Sequence, residues 1–80
     1  MEVFVAVWYD RHTDDTYAIF TKKEDAINQC KEWSKYNYYS HYDFFEEEIK
    51  GWEYYLSAGD DMPKFHVEKV SMDKFEKVNE

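Results

Sequence analysis

The stretch Thr21–Tyr38, TKKEDAINQCKEWSKYNY, has the clearest helix pattern of the chain and decides the fold. It opens with a Thr-x-x-Glu capping box, in which Thr21 and Glu24 satisfy the first free backbone N–H groups of a helix. Apolar side chains then recur at helical spacing on one side: Ala26, Ile27, Cys30 and Trp33. We therefore predict an amphipathic helix whose apolar stripe packs on another element, because so short a helix is marginal alone.

Apolar runs on both sides of this helix predict strands over residues 3–9, 16–20, 52–57 and 65–70. The first run is apolar on both faces, which is typical of a central strand. The loops between the first two runs and between the last two are short, so each pair predicts an antiparallel hairpin.

A second helix is predicted from Ser40, as its N-cap, to Gly51, as its C-terminal cap. Its apolar side would carry Tyr42, Phe45 and Ile49. Residues 71–80 predict either a short terminal helix or a frayed tail.

These elements together predict one small α+β domain over residues 1–80. It has two layers, a small antiparallel sheet of about four strands and helices that cover one face, in the order β-β-α-α-β-β. The pattern does not fix the order of the strands within the sheet.

The single cysteine, Cys30, excludes a disulfide framework and favours a reducing compartment. Its position on the apolar stripe predicts a buried side chain. The first residues lack the basic start and apolar run of a signal peptide, and no run of about 18 apolar residues could span a membrane. We therefore expect a cytoplasmic protein without a membrane partner.

The chain is acidic, with 18 Asp and Glu against 10 Lys and Arg and a net charge of −8. Direct binding to nucleic acid needs a basic surface, so it is not expected here. A protein partner with a basic surface is favoured instead. The excess of acidic residues is concentrated in residues 43–61, which hold seven acids and only one base, Lys50.

Acids and tyrosines adjoin in this part of the chain and form the predicted partner-binding surface. Carboxylates on a rigid helix face can imitate phosphates, and tyrosines are common anchors of protein interfaces. The simpler interpretation is a solvated helix face beside an aromatic core. The residues of the predicted surface are Asp43, Glu46, Glu47, Glu48, Tyr38, Tyr39 and Tyr42.

No pattern predicts catalysis, a metal or a cofactor. The loop Asp10–Asp15 lacks the glycine and glutamate positions of an EF-hand, and the three histidines stand in no nucleophile or zinc motif. Gly51 and Gly59 are the only glycines, so a glycine-rich phosphate loop is excluded. We therefore predict a protein that is not an enzyme, with no metal site and no cofactor.

The runs Val3–Tyr9, Tyr17–Phe20 and Thr21–Ile27 resemble the start of small phage and prokaryotic proteins in which a short hairpin leads into a Phe-(Ser/Thr)-x-x-Glu-x-Ala helix. The resemblance covers about the first third of the chain and transfers no catalytic residues. In size and acidity the chain is also similar in type to phage-encoded inhibitors of host defence, including anti-CRISPR proteins and DNA mimics. This resemblance implies the host cytoplasm as the site of action.

The leading hypothesis is thus a non-enzymatic, acidic protein-binding module, most concretely a phage-type inhibitor that occupies a basic nucleic-acid-binding surface of a host defence protein. Two alternatives stay open. One is a structural or self-associating module, in which exposed tyrosines pair between copies of a homo-oligomer. The other is a small-molecule-binding sponge with aromatic side chains lining a pocket.

Overall fold

The computed structural model describes residues 1–10, 15–36, 39, 42–59 and 63–71. Five strands and one α-helix occur within these ranges. In chain order they are β1 (Glu2–Tyr9), β2 (Thr16–Phe20), α1 (Lys23–Ser34), β3 (Phe45–Glu47), β4 (Tyr54–Ser57) and β5 (Lys64–Ser71). The predicted α+β class with an antiparallel sheet is confirmed, but the sheet has five strands and the described ranges contain one α-helix where two were predicted.

All five strands belong to one sheet with the order β2-β1-β5-β4-β3, and every neighbouring pair is antiparallel. β1 lies between β2 and β5, as its apolar character on both faces predicts. It pairs with β5 along its full length, from Glu2 opposite Ser71 to Tyr9 opposite Lys64. The two ends of the described chain therefore meet at the centre of the sheet.

The main core lies between α1 and one face of the sheet. Alternate side chains of β1 point to this face, and Ala6 is fully buried there, as are Phe65 and Val67 from β5. The helix contributes its predicted stripe, with Ala26 and Cys30 fully buried and Trp33 nearly so. This part of the sequence prediction is confirmed.

The opposite side of the sheet, which we call the outer face, carries the other side chains of β1. Val3, Val5 and Val7 are buried on it, and Val70 packs against them. The register then assigns neighbours to the same face, because paired residues of adjacent strands point the same way. Ile19 lies opposite Val5 on β2, and His66 lies opposite Val7 on β5.

The predicted capping box is wrong. α1 begins at Lys23, its N-cap is Lys22 in an extended conformation, and no side chain bonds to the free N–H groups. Thr21 lies outside the helix because β2 runs up to Phe20 and leaves too few residues for an earlier start. Glu24 in the first turn instead favours the helix through its interaction with the positive end of the helix dipole.

The predicted second helix is also wrong over its described residues. β3 occupies Phe45–Glu47, where helical spacing was expected. Two aromatic side chains explain the extended backbone, because Tyr42 and Phe44 are both half-buried against the core while Asp43 between them is exposed. Such alternation has the period of a strand.

The last two predicted strands are confirmed with shifted ends. β4 begins at Tyr54 rather than at residue 52, and β5 extends to Ser71. The proposed cap Ser40, residues 60–62 of the predicted turn and residues 72–80 of the predicted terminal helix or tail lie outside the described residues.

A candidate acidic binding surface on the β3–β4 hairpin

Three of the four predicted acidic residues, Glu46, Glu47 and Glu48, lie on a hairpin at one end of the sheet, formed by residues 45–57. Phe45 pairs with Ser57 and Glu47 pairs with Tyr55, so residues 48–53 form the connection. Gly51 has a φ of 99°, a left-handed conformation that favours glycine. The sequence prediction placed a helix cap at Gly51; the structure uses the same conformational freedom to turn the chain between two strands.

An open cleft of about 820 Å³ lies along this connection. Four of its nine lining residues are acids and one is a base, so the cleft favours positively charged groups. The lining residues are Glu46, Glu47, Glu48, Ile49, Lys50, Gly51, Trp52, Glu53 and Tyr54.

The carboxylates of the hairpin do not share one face. Glu46 lies opposite Leu56, whose side chain is in the core, whereas Glu47 lies opposite Tyr55 on the outer face. The helical prediction put Glu46, Glu47 and Glu48 side by side on one surface, and the strand instead points neighbours to opposite sides. A flat partner would therefore reach only one of these two side chains, whereas a groove could contact both.

Two of these carboxylates are held by neighbours. The hydroxyl of Ser57 donates a hydrogen bond of 3.2 Å to Oε2 of Glu47. Oε1 of Glu53 lies 3.7 Å from Nζ of Lys23 on the helix. Glu48 is exposed in the connection.

Trp52 supplies the largest apolar surface of the cleft and is 37% exposed. Its ring stacks on the imidazole of His66, with ring centroids 4.1 Å apart and planes inclined by 28°. Because His66 lies on the outer face, this contact anchors the connection to that side of the sheet. The predicted alternation placed Trp52 on the same side as Tyr54; it is wrong because Trp52 precedes the strand.

The imidazole of His66 is half-buried, and its surroundings shift its pKa. Burial lowers its pKa, and the nearby carboxylates of Glu68 and Asp15 oppose that shift. Nε2 lies 3.5 Å from Oε1 of Glu68 but has no hydrogen-bond partner within the described ranges. The neutral form of His66 is thus favoured beneath Trp52.

Tyr54 brings a second polar group to the cleft. Burial raises the pKa of its hydroxyl, and the carboxylate of Glu46 raises it further. The hydroxyl is buried without a hydrogen-bond partner among the residues that the structure describes. Tyr54 therefore stays protonated next to Glu46.

The tyrosines of the predicted surface are placed differently. Tyr39 is 3% exposed and belongs to the core, so the expectation of an exposed anchor there is wrong. Tyr42 is half-buried, with its ring 6.0 Å from that of Tyr39 and 6.2 Å from that of Phe44. Tyr38 lies outside the described residues, and Asp43 is exposed just before β3 but does not line the cleft.

The apolar contact area beside the acids comes from residues that the sequence prediction did not select. Phe45, Ile49 and Trp52 are 50%, 39% and 37% exposed, respectively. The available signal was Gly51, which separates two short alternating runs and so indicates a hairpin. That interpretation would have placed Ile49 and Trp52 in a turn rather than in a core.

Two further observations bear on chemistry. No group of three or more His, Cys, Asp or Glu side chains suited to a metal ion occurs within the described ranges. Cys30 is buried, and burial raises the pKa of its thiol to about 12. The thiol is therefore protonated and poorly nucleophilic at neutral pH.

No helix in the described part of the chain is long and apolar enough to cross a membrane. Comparison of the chain with protein-family models, with curated proteins and with solved structures finds no match.

Proposed function

We propose that the chain is a non-enzymatic protein-binding module whose β3–β4 hairpin docks into a basic, nucleic-acid-binding groove of a partner protein, in the manner of a phage-encoded inhibitor of host defence. The observation that carries the proposal is that the three exposed residues Glu46, Glu47 and Glu48 line one cleft together with the exposed ring of Trp52.

The carboxylates and the aromatic ring would have different roles. The carboxylates steer the encounter with a basic surface and orient the complex, because complementary charge raises the association rate. Trp52 and Ile49 supply contact area that loses water in the complex, as interface anchors do. Tyr39 has no part in this contact, since it is buried.

The direction of the side chains favours a groove over a flat surface. Glu46 and Glu47 leave the strand on opposite sides, and β3 is the last strand of the sheet. A hairpin inserted edge-first can present both carboxylates to the two walls of a groove. Grooves with two basic walls are typical of proteins that hold a nucleic-acid strand.

The experiment captures partners from a bacterial extract on the immobilised chain and then adds nucleic acid as a competitor. We expect a captured protein that binds nucleic acid and that is released by it. The double variant Glu46→Lys/Glu48→Lys should lose this protein, and higher salt should weaken its binding.

The matched control is Glu24→Lys/Glu32→Lys on α1, which changes the net charge by the same amount at exposed positions. This control should retain the partner. Equal loss in both variants would show that overall charge rather than the hairpin governs binding. A partner that stays bound under saturating nucleic acid would contradict the proposed groove.

A further inference from the structure

The two ends of the sheet differ in how they are protected against pairing with another strand. At one end, β3 has only three residues and carries Glu46 and Glu47. Short, charged edge strands resist pairing. At the other end, β2 has five residues, Thr16–Phe20, with no charge and no proline. Its composition of aromatic and β-branched residues favours strand pairing.

The edge of β2 that faces away from β1 is open. Within the described ranges it pairs with β1 alone, and no other backbone hydrogen bond reaches it. Tyr17 and Ile19 of β2 lie on the outer face and are among the most exposed apolar side chains of the structure, at 61% and 66% exposure, respectively. An uncovered, uncharged edge of this kind is a template for a further strand.

The charges that flank β2 favour one orientation for a second copy of this strand paired with it. Asp15 stands directly before β2, and Lys22 and Lys23 follow shortly after it. Asp15 and Lys22 are both exposed. If a second copy of β2 runs antiparallel, the acidic start of each strand lies beside the basic end of the other. A parallel copy would place acid beside acid and base beside base.

We propose that two copies of the chain pair antiparallel through β2, about a two-fold axis at Ala18, and so join two five-stranded sheets into one continuous sheet. In this register Tyr17 of each copy faces Ile19 of the other, an aromatic and β-branched pair that stabilises adjacent strands. Asp15 lies opposite Thr21 of the other copy, next to Lys22. Both contacts occur twice, as a self-complementary interface requires.

This dimer uses the opposite end of the sheet from the β3–β4 hairpin, so it is independent of the proposed docking function. The acidic surface of each copy stays open and is presented twice. Because each chain carries a net charge of −8, the neutral edge of β2 is also a place where two copies can approach with little repulsion.

The first test is sedimentation equilibrium of the pure chain at concentrations up to about 1 mM, because small interfaces are weak. We expect a reversible dimer. Ile19→Lys places a charge at the edge and should give a monomer. Phe45→Lys makes the same change of charge at an exposed position on β3 and should leave the dimer intact. A strict monomer of the unaltered chain, or equal behaviour of the two variants, would overturn the proposal.

The second test uses the flanking charges. Asp15→Lys alone puts lysine beside Lys22 of the other copy, and Lys22→Asp alone puts two acids together, so each variant should dimerise about tenfold more weakly. When the two variants are mixed, both contacts again join opposite charges, and a mixed dimer should form. Glu48→Lys and Lys50→Glu, matched charge changes on the hairpin, should each dimerise like the unaltered chain.

Recovery in the mixture cannot arise from a folding defect, since each variant would carry its own defect into it. Absence of recovery would overturn the proposed register. Amide hydrogen exchange supplies a readout specific for strand pairing. Amides of residues 16–20 should become more protected as concentration rises, and a dimer without that protection would contradict pairing through β2.

Discussion

The indole Nε1 of Trp8 donates a hydrogen bond of 2.9 Å to the hydroxyl of Tyr39, which in turn donates one of 3.0 Å to Oδ2 of Asp10. This chain of bonds links the central strand to the segment after the helix and explains why Tyr39 is not at the surface. The ring of Tyr39 also packs edge-on against Trp8 and Phe65.

The first prediction concerns this hydroxyl. Tyr39→Phe keeps the ring but removes the acceptor for Trp8 and the donor for Asp10, so buried polar groups lose partners. We expect a loss of about 1–3 kcal/mol in the free energy of unfolding. Urea denaturation followed by tryptophan fluorescence measures it. Tyr36→Phe is the control, because the exposed Tyr36 contacts the same Trp8 ring and should change stability little.

The second prediction concerns pH. Burial lowers the pKa of His66 in the folded protein below its ordinary value of 6.5, so the unfolded chain binds a proton more readily. Between pH 6.5 and the lowered folded pKa, stability should therefore rise with pH, with a slope for this group of at most about 1.4 kcal/mol per pH unit. His66→Gln should remove this contribution.

Urea denaturation of the unaltered chain and of His66→Gln at a series of pH values below 7 measures this contribution. The difference in their free energies of unfolding should change with pH, whereas contributions of carboxylates that do not interact with His66 cancel. A constant difference across the series would show that His66 does not titrate differently in the two states.

The third prediction concerns the thiol. Because Cys30 is buried and its pKa is raised to about 12, a thiol reagent should modify the native protein far more slowly than the protein in urea. The chain contains one cysteine, so the whole signal reports on this site. Equally rapid modification in both states would place Cys30 at the surface and contradict the core.

The fourth prediction concerns the turn of the hairpin. A Cβ at Gly51 would meet no atom within 4 Å, so Gly51→Ala causes no steric clash. Its effect on stability therefore reports the cost of the left-handed backbone alone. We expect a loss of about 1–2 kcal/mol in the stability of the hairpin. Gly51→Asn should cost less, since Asn adopts this conformation more readily. Amide hydrogen exchange of residues 45–57 detects either change locally.

The first half of the fold was predictable because its signals are local. Residue spacing alone indicates the apolar run of β1, the adjacent strand β2 and the apolar stripe of α1, and the structure confirms all three. The start of α1 was not predictable from Thr21 and Glu24 alone. The end of β2 at Phe20 decides it, and that end depends on pairing with Phe4 far away in the sequence.

The segment around β3 was mispredicted because its sequence supports two periods. Tyr42, Phe45 and Ile49 fit a helix, whereas Tyr42 and Phe44 fit a strand. The contact that decides between them is tertiary, since Phe44 packs 5.5 Å from Phe65 on β5. The acidic character of the candidate site was therefore predictable, but its geometry was not.

The pairing of β1 with β5 has a mechanical consequence. Glu2 and Ser71 face each other at one end of that antiparallel ladder. Tension applied between these two positions therefore loads one hydrogen-bonded pair at a time, and the sheet opens by unzipping rather than by shear. The domain should therefore yield at low force in single-molecule pulling between these two positions.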